Sequence, residues 1–132
     1  MPEAMNMAEN RTKGQIEAEI SEAIIKFEQE YMGRGPDETK TYYLDDLVVV
    51  HLKRVLTPAE KQLAKADASG KGRMLVKQIR TELLEKARPL LEETISGITG
   101  RKVISLHTDI STVTGERIIV FTLGDSFLDE NT

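Results

Sequence analysis

Ile16, Ile20, Ala23, Ile24, Phe27 and Tyr31 recur at steps of three and four, the spacing that lines one side of a helix. The pattern predicts a first helix near Lys13 to Met32, with Glu17, Glu19, Glu22, Glu28 and Glu30 on its solvent side opposed only by Lys26. Gly33-Arg34-Gly35-Pro36 then supplies a stop. The period changes to two. Lys40 to Leu44 and Leu47 to Lys53 are rich in β-branched and aromatic residues, and Asp45-Asp46 between them suits a hairpin turn.

Thr57-Pro58-Ala59-Glu60 places a hydroxyl at N-cap, proline at N1 and a carboxylate at N3, which together satisfy the free amides of a helix start. This short helix is expected to end near Asp67, and Ala68-Ser69-Gly70-Lys71-Gly72 reads as a flexible joint. A long helix follows, with Leu75, Ile79, Leu83, Ala87, Leu91, Ile95 and Ile98 on its apolar stripe, ended by Gly97 and Gly100. Pro89 lies inside it and lacks an amide proton, so a kink or break is expected near Glu85 to Arg88. Two more strands, Lys102 to Thr108 and Ile118 to Leu123, close the chain's last third.

A helix followed by a hairpin thus occurs twice, an αββ pseudo-repeat. The expected fold is α+β: a two-layer sandwich whose four-stranded, mostly antiparallel sheet comes from two hairpins and is covered by two long helices plus one short one. Residues 13–123 form one domain, between a flexible 1–12 and a polar, acidic tail at 124–132. The composition agrees, since 132 residues at 39% apolar and 30% charged suit one domain.

The runs LVVV and IIVF are far shorter than the roughly 20 residues of a membrane-crossing helix. The opening MPEAMNMAENRTKG lacks an apolar core behind positive charge, and there is no cysteine, so a secreted, disulfide-held protein is not expected and a cytoplasmic location is. Charge adds a second feature. The net value is −4, yet Lys53 to Arg80 carries eight bases against Glu60 and Asp67, a local balance of +6 against −10 elsewhere. Lys61, Lys65, Lys71, Arg73, Lys77 and Arg80 are therefore the candidates for binding a partner or an anion. Gly70 and Gly72 would add free amides at the start of the long helix.

The segment HTDISTVTGER, 107–117, joins the last two strands. Asp109, Ser111, Thr112 and Thr114 are residues whose side chains bond nearby backbone, so a hydrogen-bonded hairpin loop is the leading reading. A catalytic reading would make His107 a base oriented by Asp109, Ser111 or Thr112 a nucleophile and Arg117 an anion clamp. Side chains two apart on a strand lie roughly 6 to 7 Å apart, beyond hydrogen-bond reach, which argues against it. No catalytic residue is expected; His107, Asp109, Ser111, Thr112 and Arg117 remain binding candidates.

His51 and His107 could meet across a sheet, but no third ligand is nominated, so neither metal nor cofactor is expected. Gly70-Lys71 does not make a phosphate loop, because Lys65 stands where its first glycine belongs and Gly72 where Ser or Thr belongs. With three Tyr and three Phe, none between Lys53 and Arg80, the basic segment lacks the stacking residues of a nucleic-acid surface.

The stretches DDLVVVHLKRVLTPAEKQLA (Asp45 to Ala64) and TGRKVISLHTDISTVTGERIIVFTL (Thr99 to Leu123) resemble the bacterial MpsC-like family, and the likeness runs from about Ile16 to Leu123. That family takes its name from a sodium-translocating, membrane-potential-generating system. The resemblance implies association with integral membrane proteins that move ions or inorganic carbon, and it brings no assigned catalytic residues. Together the readings predict a small, non-enzymatic accessory or adaptor protein. It would bind another protein, such as a membrane-complex subunit, through the basic face around Lys61 to Arg80 or the hairpin loop, and lie at the membrane through that partner. The alternative is a regulatory domain that senses a small anion near Gly70 to Arg73 or His107 to Arg117. A homodimer through sheet edges or the first helix is compatible.

Overall fold

The computed structural model describes residues 11–65 and 68–126. Its elements in chain order are α1 (Lys13–Met32), β1 (Glu38–Leu44), β2 (Leu47–Lys53), α2 (Pro58–Ala64), α3 (Lys71–Thr99), β3 (Arg101–Ile110) and β4 (Arg117–Ser126). The strands form one antiparallel sheet in the order β1-β2-β4-β3. The two hairpins meet along the β2–β4 seam, so the expected α+β sandwich and its αββ repeat are both present. Of the expected flexible start, 1–12, Thr12 caps α1, and of the expected tail, 124–132, Gly124 to Ser126 continue β4, while 1–10 and 127–132 lie outside the described residues. α2 ends at Ala64, short of the expected Asp67, which is also outside them.

Local signals set the helix starts. Thr12 caps α1 and Thr57 caps α2, each bonding the N3 amide while Gln15 or Glu60 reaches back to the cap amide. Gly33 ends α1 and Gly100 ends α3, both left-handed. Lys71 and Gly72 belong to α3 rather than to a joint. Gly72 is where α2 and α3 touch: a Cβ there would lie 1.8 Å from the Leu63 carbonyl oxygen. Pro89 does not break α3, which runs unbroken from Lys71 to Thr99 with the proline on its exposed side.

The core lies between the helices and one face of the sheet. Ile16, Ile20, Ile24 and Phe27 of α1 and Val76, Leu84, Leu91 and Ile95 of α3 cover Val48, Val50 and Leu52 of β2 and Ile119, Phe121 and Leu123 of β4. Two expected positions move. Tyr31 is exposed, stacked on Phe27 at a centroid distance of 5.1 Å, and Met32 is buried instead. In the first half of α3 the buried stripe is Gly72, Val76, Arg80 and Leu84, one residue on from the expected Leu75, Ile79 and Leu83. An arginine in a stripe reads as a solvent residue, yet Arg80 is 1% exposed. Glu28, assigned to the acidic outer face of α1, is fully buried beside it.

Candidate functional site

Arg80 belongs to the interior. Its guanidinium donates to Glu60 twice, from Nε at 2.8 Å and Nη2 at 2.6 Å, to Glu28 Oε1 at 3.1 Å and to the Val55 carbonyl at 2.9 Å. The three helices and the β2–α2 connection are thereby tied together, with Arg117 of β4 beside them. Burial alone would push the Glu60 carboxyl up, but the hydrogen bonds from Arg80 and Thr57 hold it below the usual carboxylate range. Burial prevails for Glu28, which is raised despite the charges of Arg117 and Arg80. Arg117 is 2% exposed, its Nε and Nη1 lack a hydrogen-bond partner among the described residues, and burial lowers its pKa. An anion clamp at the surface is therefore not available from Arg117, nor a partner contact from Arg80.

The other candidate bases separate. Lys77 lies 3.4 Å from Asp109 across α3 and β3. Lys61, Lys65 and Arg73 have no acid partner among the described residues and line one groove of about 620 Å³. Its far wall is the β3–β4 loop, Thr112 to Gly115, and its floor includes Leu56 and Ala64. Arg54 lines it too, but pairs with Asp37 at 2.7 Å. Gly70 lets Arg73 fold across the start of α3, since a Cβ there would come 2.8 Å from Arg73 Nη2. Lys71 faces a neighbouring surface hollow with Lys65, Gln62 and Ser69. The basic segment and the hairpin loop, separate candidates in the sequence, thus share one concave site.

The loop builds itself as expected. Ser111 Oγ accepts from the Val113 and Thr114 amides at 3.3 and 3.2 Å, Thr114 Oγ1 accepts from Glu116 N at 3.3 Å, and Asp109 accepts from Ile110 N at 2.8 Å. Gly115, at φ 76°, donates its amide to Ser111 O at 2.8 Å and accepts from Val55 N at 2.9 Å, anchoring the loop beside Leu56. Thr112, by contrast, makes no hydrogen bond with its side chain among the described residues and lines the groove.

His107 lies in β3, as the expected strand Lys102 to Thr108 placed it, and is exposed, with Nε2 3.1 Å from Ser105 Oγ. Asp109 points to Lys77 and its own backbone, so the base–orienter–nucleophile arrangement does not form. His51 and His107 do not meet, because β4 runs between their strands. The carboxylate near a histidine is Glu116, 2.8 Å from His51 Nε2, a cross-strand pair that sequence spacing did not disclose. No group of three or more His, Asp or Glu stands ready to hold a metal among the described residues.

The family described as Na+-translocating membrane potential-generating system (MpsC) matches residues 12–125. The chain belongs to this family. The uncharacterized protein YbcI of Bacillus subtilis (strain 168) is 46% identical over 113 residues, covering 86% of this chain and 89% of that protein. No solved structure matches the chain. No helix among the described residues is long and apolar enough to cross a membrane.

Proposed function

We propose that this chain is a non-enzymatic accessory protein of a membrane ion-translocating system, and that it docks on an acidic segment of a partner subunit. The contact surface is the groove of Lys61, Lys65, Arg73 and Thr112. One observation carries the reading: three neighbouring cations have no acid partner among the described residues, whereas Lys77, Arg80 and Arg54 of the same basic segment are paired. Unpaired like charges repel one another, and an anionic partner removes that cost and gains charge-assisted hydrogen bonds. The family's description supplies the membrane setting. Working from the cytoplasmic side, the protein would reach the membrane only through its partner.

A photo-crosslinking residue at Val113, which is 89% exposed at the rim, tests this in intact cells. The expected product joins the chain to an acidic segment of an integral membrane protein, and it disappears in the triple variant K61E/K65E/R73E. An adduct unaffected by that variant, or no membrane-protein adduct, overturns the reading. The groove's volume also fits a small ligand, within the roughly 300–1,000 Å³ of ordinary small-molecule sites. That favours anion sensing as the second reading. Titration with bicarbonate or phosphate would then move the amide resonances of Thr112 to Gly115, while docking alone predicts no such shifts.

A further inference from the structure

The helices cover one face of the sheet, and none of the described residues covers the other. Its outward side chains fall into rows across all four strands. Leu44, Leu47, Thr122 and Ser105 form one row, Tyr42, Val49, Val120 and His107 the next, and Lys40, His51, Ile118 and Asp109 the third. A sheet face left to water alternates with polar residues, whereas strands covered on both sides read as continuous apolar runs. β2 and β4 are of the second kind, in LVVV and IIVF, and Tyr42, Leu44, Ile104 and Ile118 of this face are each more than two-fifths exposed.

We propose that a second copy of this chain covers that face, sheet against sheet, about a two-fold axis parallel to the strands above the β2–β4 seam. The charges choose this arrangement. Lys40 and Asp109 occupy the same row at opposite edges of the sheet, on β1 and β3, and Asp109, although it reaches Lys77 at 3.4 Å around the sheet edge, keeps 81% of its side chain exposed. The axis lays β1 of each copy over β3 of the other, so each Lys40 faces the other copy's Asp109. Val49 meets Val120, and Tyr42 meets His107. A two-fold axis across the strands would instead set the charged row on the Leu44–Leu47 row, burying charge on apolar surface. The described faces of both copies then match without any new residue. Groove residues Lys61 and Arg73 lie on the helices and Lys65 just past the end of α2, away from this face, so the inference does not rest on the proposed docking function.

The patch spans four strands about 4.8 Å apart and three rows about 6.6 Å apart, roughly 400 Å² in projection. Standard interfaces bury about 800 Å² per partner, so a weak dimer that dissociates on dilution is expected, to be sought from micromolar to millimolar protein.

Sedimentation velocity on the full chain across that concentration range is the test. The wild type should pass from monomer to dimer, and Val120→Lys, in the middle of the face, should remain monomeric with an unchanged circular dichroism spectrum. Lys40→Asp and Asp109→Lys should each weaken association about tenfold, and the double variant K40D/D109K should recover it. Lys40 and Asp109 lie about 14 Å apart within one sheet, too far to rescue each other except between copies. A wild type that stays monomeric overturns the proposal and leaves the face to another protein. A dimer indifferent to Val120→Lys, or a charge swap that fails to rescue, overturns it in favour of packing by strand edges or helices.

Discussion

Arg80 and Lys61 lie 19 positions apart in one basic segment, on helices that touch, yet the first is an interior residue and the second a surface cation. The difference is one of partners. Arg80 is reached by Glu28, Glu60 and the Val55 carbonyl, which repay the desolvation of a buried guanidinium. Lys61, Lys65 and Arg73 find no such groups among the described residues. A local excess of base is therefore not a face; it divides according to what the fold brings within reach.

The comparison is broken most directly by Arg80→Met. It strands Glu28 in the core and frees the Val55 carbonyl, and should cost about 3–5 kcal/mol in urea unfolding. Arg117→Met should cost at least about 2 kcal/mol less, because Arg117 Nε and Nη1 forfeit no hydrogen bonds. Equal losses would mean that net charge, rather than hydrogen bonding, holds the cluster.

Gly72→Ala strikes both regions at once, since α2 carries both Glu60 and Lys61. A methyl group 1.8 Å from the Leu63 carbonyl oxygen must push α2 off α3. A loss of about 2–3 kcal/mol is expected from overpacking, with amide shift changes at both Glu60 and Thr112.

Acid should act on the cluster through Glu60. Its folded pKa is below the unfolded value, so its contribution is fully present above about pH 4.3 and is lost as pH falls through the folded pKa. Glu28 is raised, so its effect has the opposite sign: stability declines as its charge forms on raising the pH. At pH 7, Glu60→Gln should therefore cost about 1–2 kcal/mol more than Glu28→Gln, and the gap should narrow toward pH 4. A gap that widens in acid would contradict the assigned directions.

The smallest effect is expected in the groove. K61E/K65E/R73E should change stability by no more than about 0.5 kcal/mol per substitution, as at ordinary exposed positions, while abolishing capture of acidic peptides at low salt. A marked loss of stability would show that these cations are engaged within the fold after all.

The start of α2 was readable because capping is local, Thr57 and Glu60 acting within one turn, whereas α3 starts at Lys71 without a side-chain cap and its first residues read as a joint. The loop was readable for the same reason, as Ser111 and Thr114 bond amides two or three residues away. The register of early α3 was not, because its buried stripe includes an arginine whose partners lie 20 and 52 positions distant. The His51–Glu116 contact, 65 positions apart, escaped for the same reason.

By itself, then, the order of residues determined the elements, the αββ repeat and the family likeness, all of which depend on neighbours along the chain or on patterns repeated within it. Only the tertiary structure decided which charges are consumed internally, which lack an acid partner among the described residues around the loop, and which sheet face the described helices do not cover. Those outcomes depend on groups that meet only when distant segments pack, where burial makes an unpaired charge expensive and a paired one tolerable.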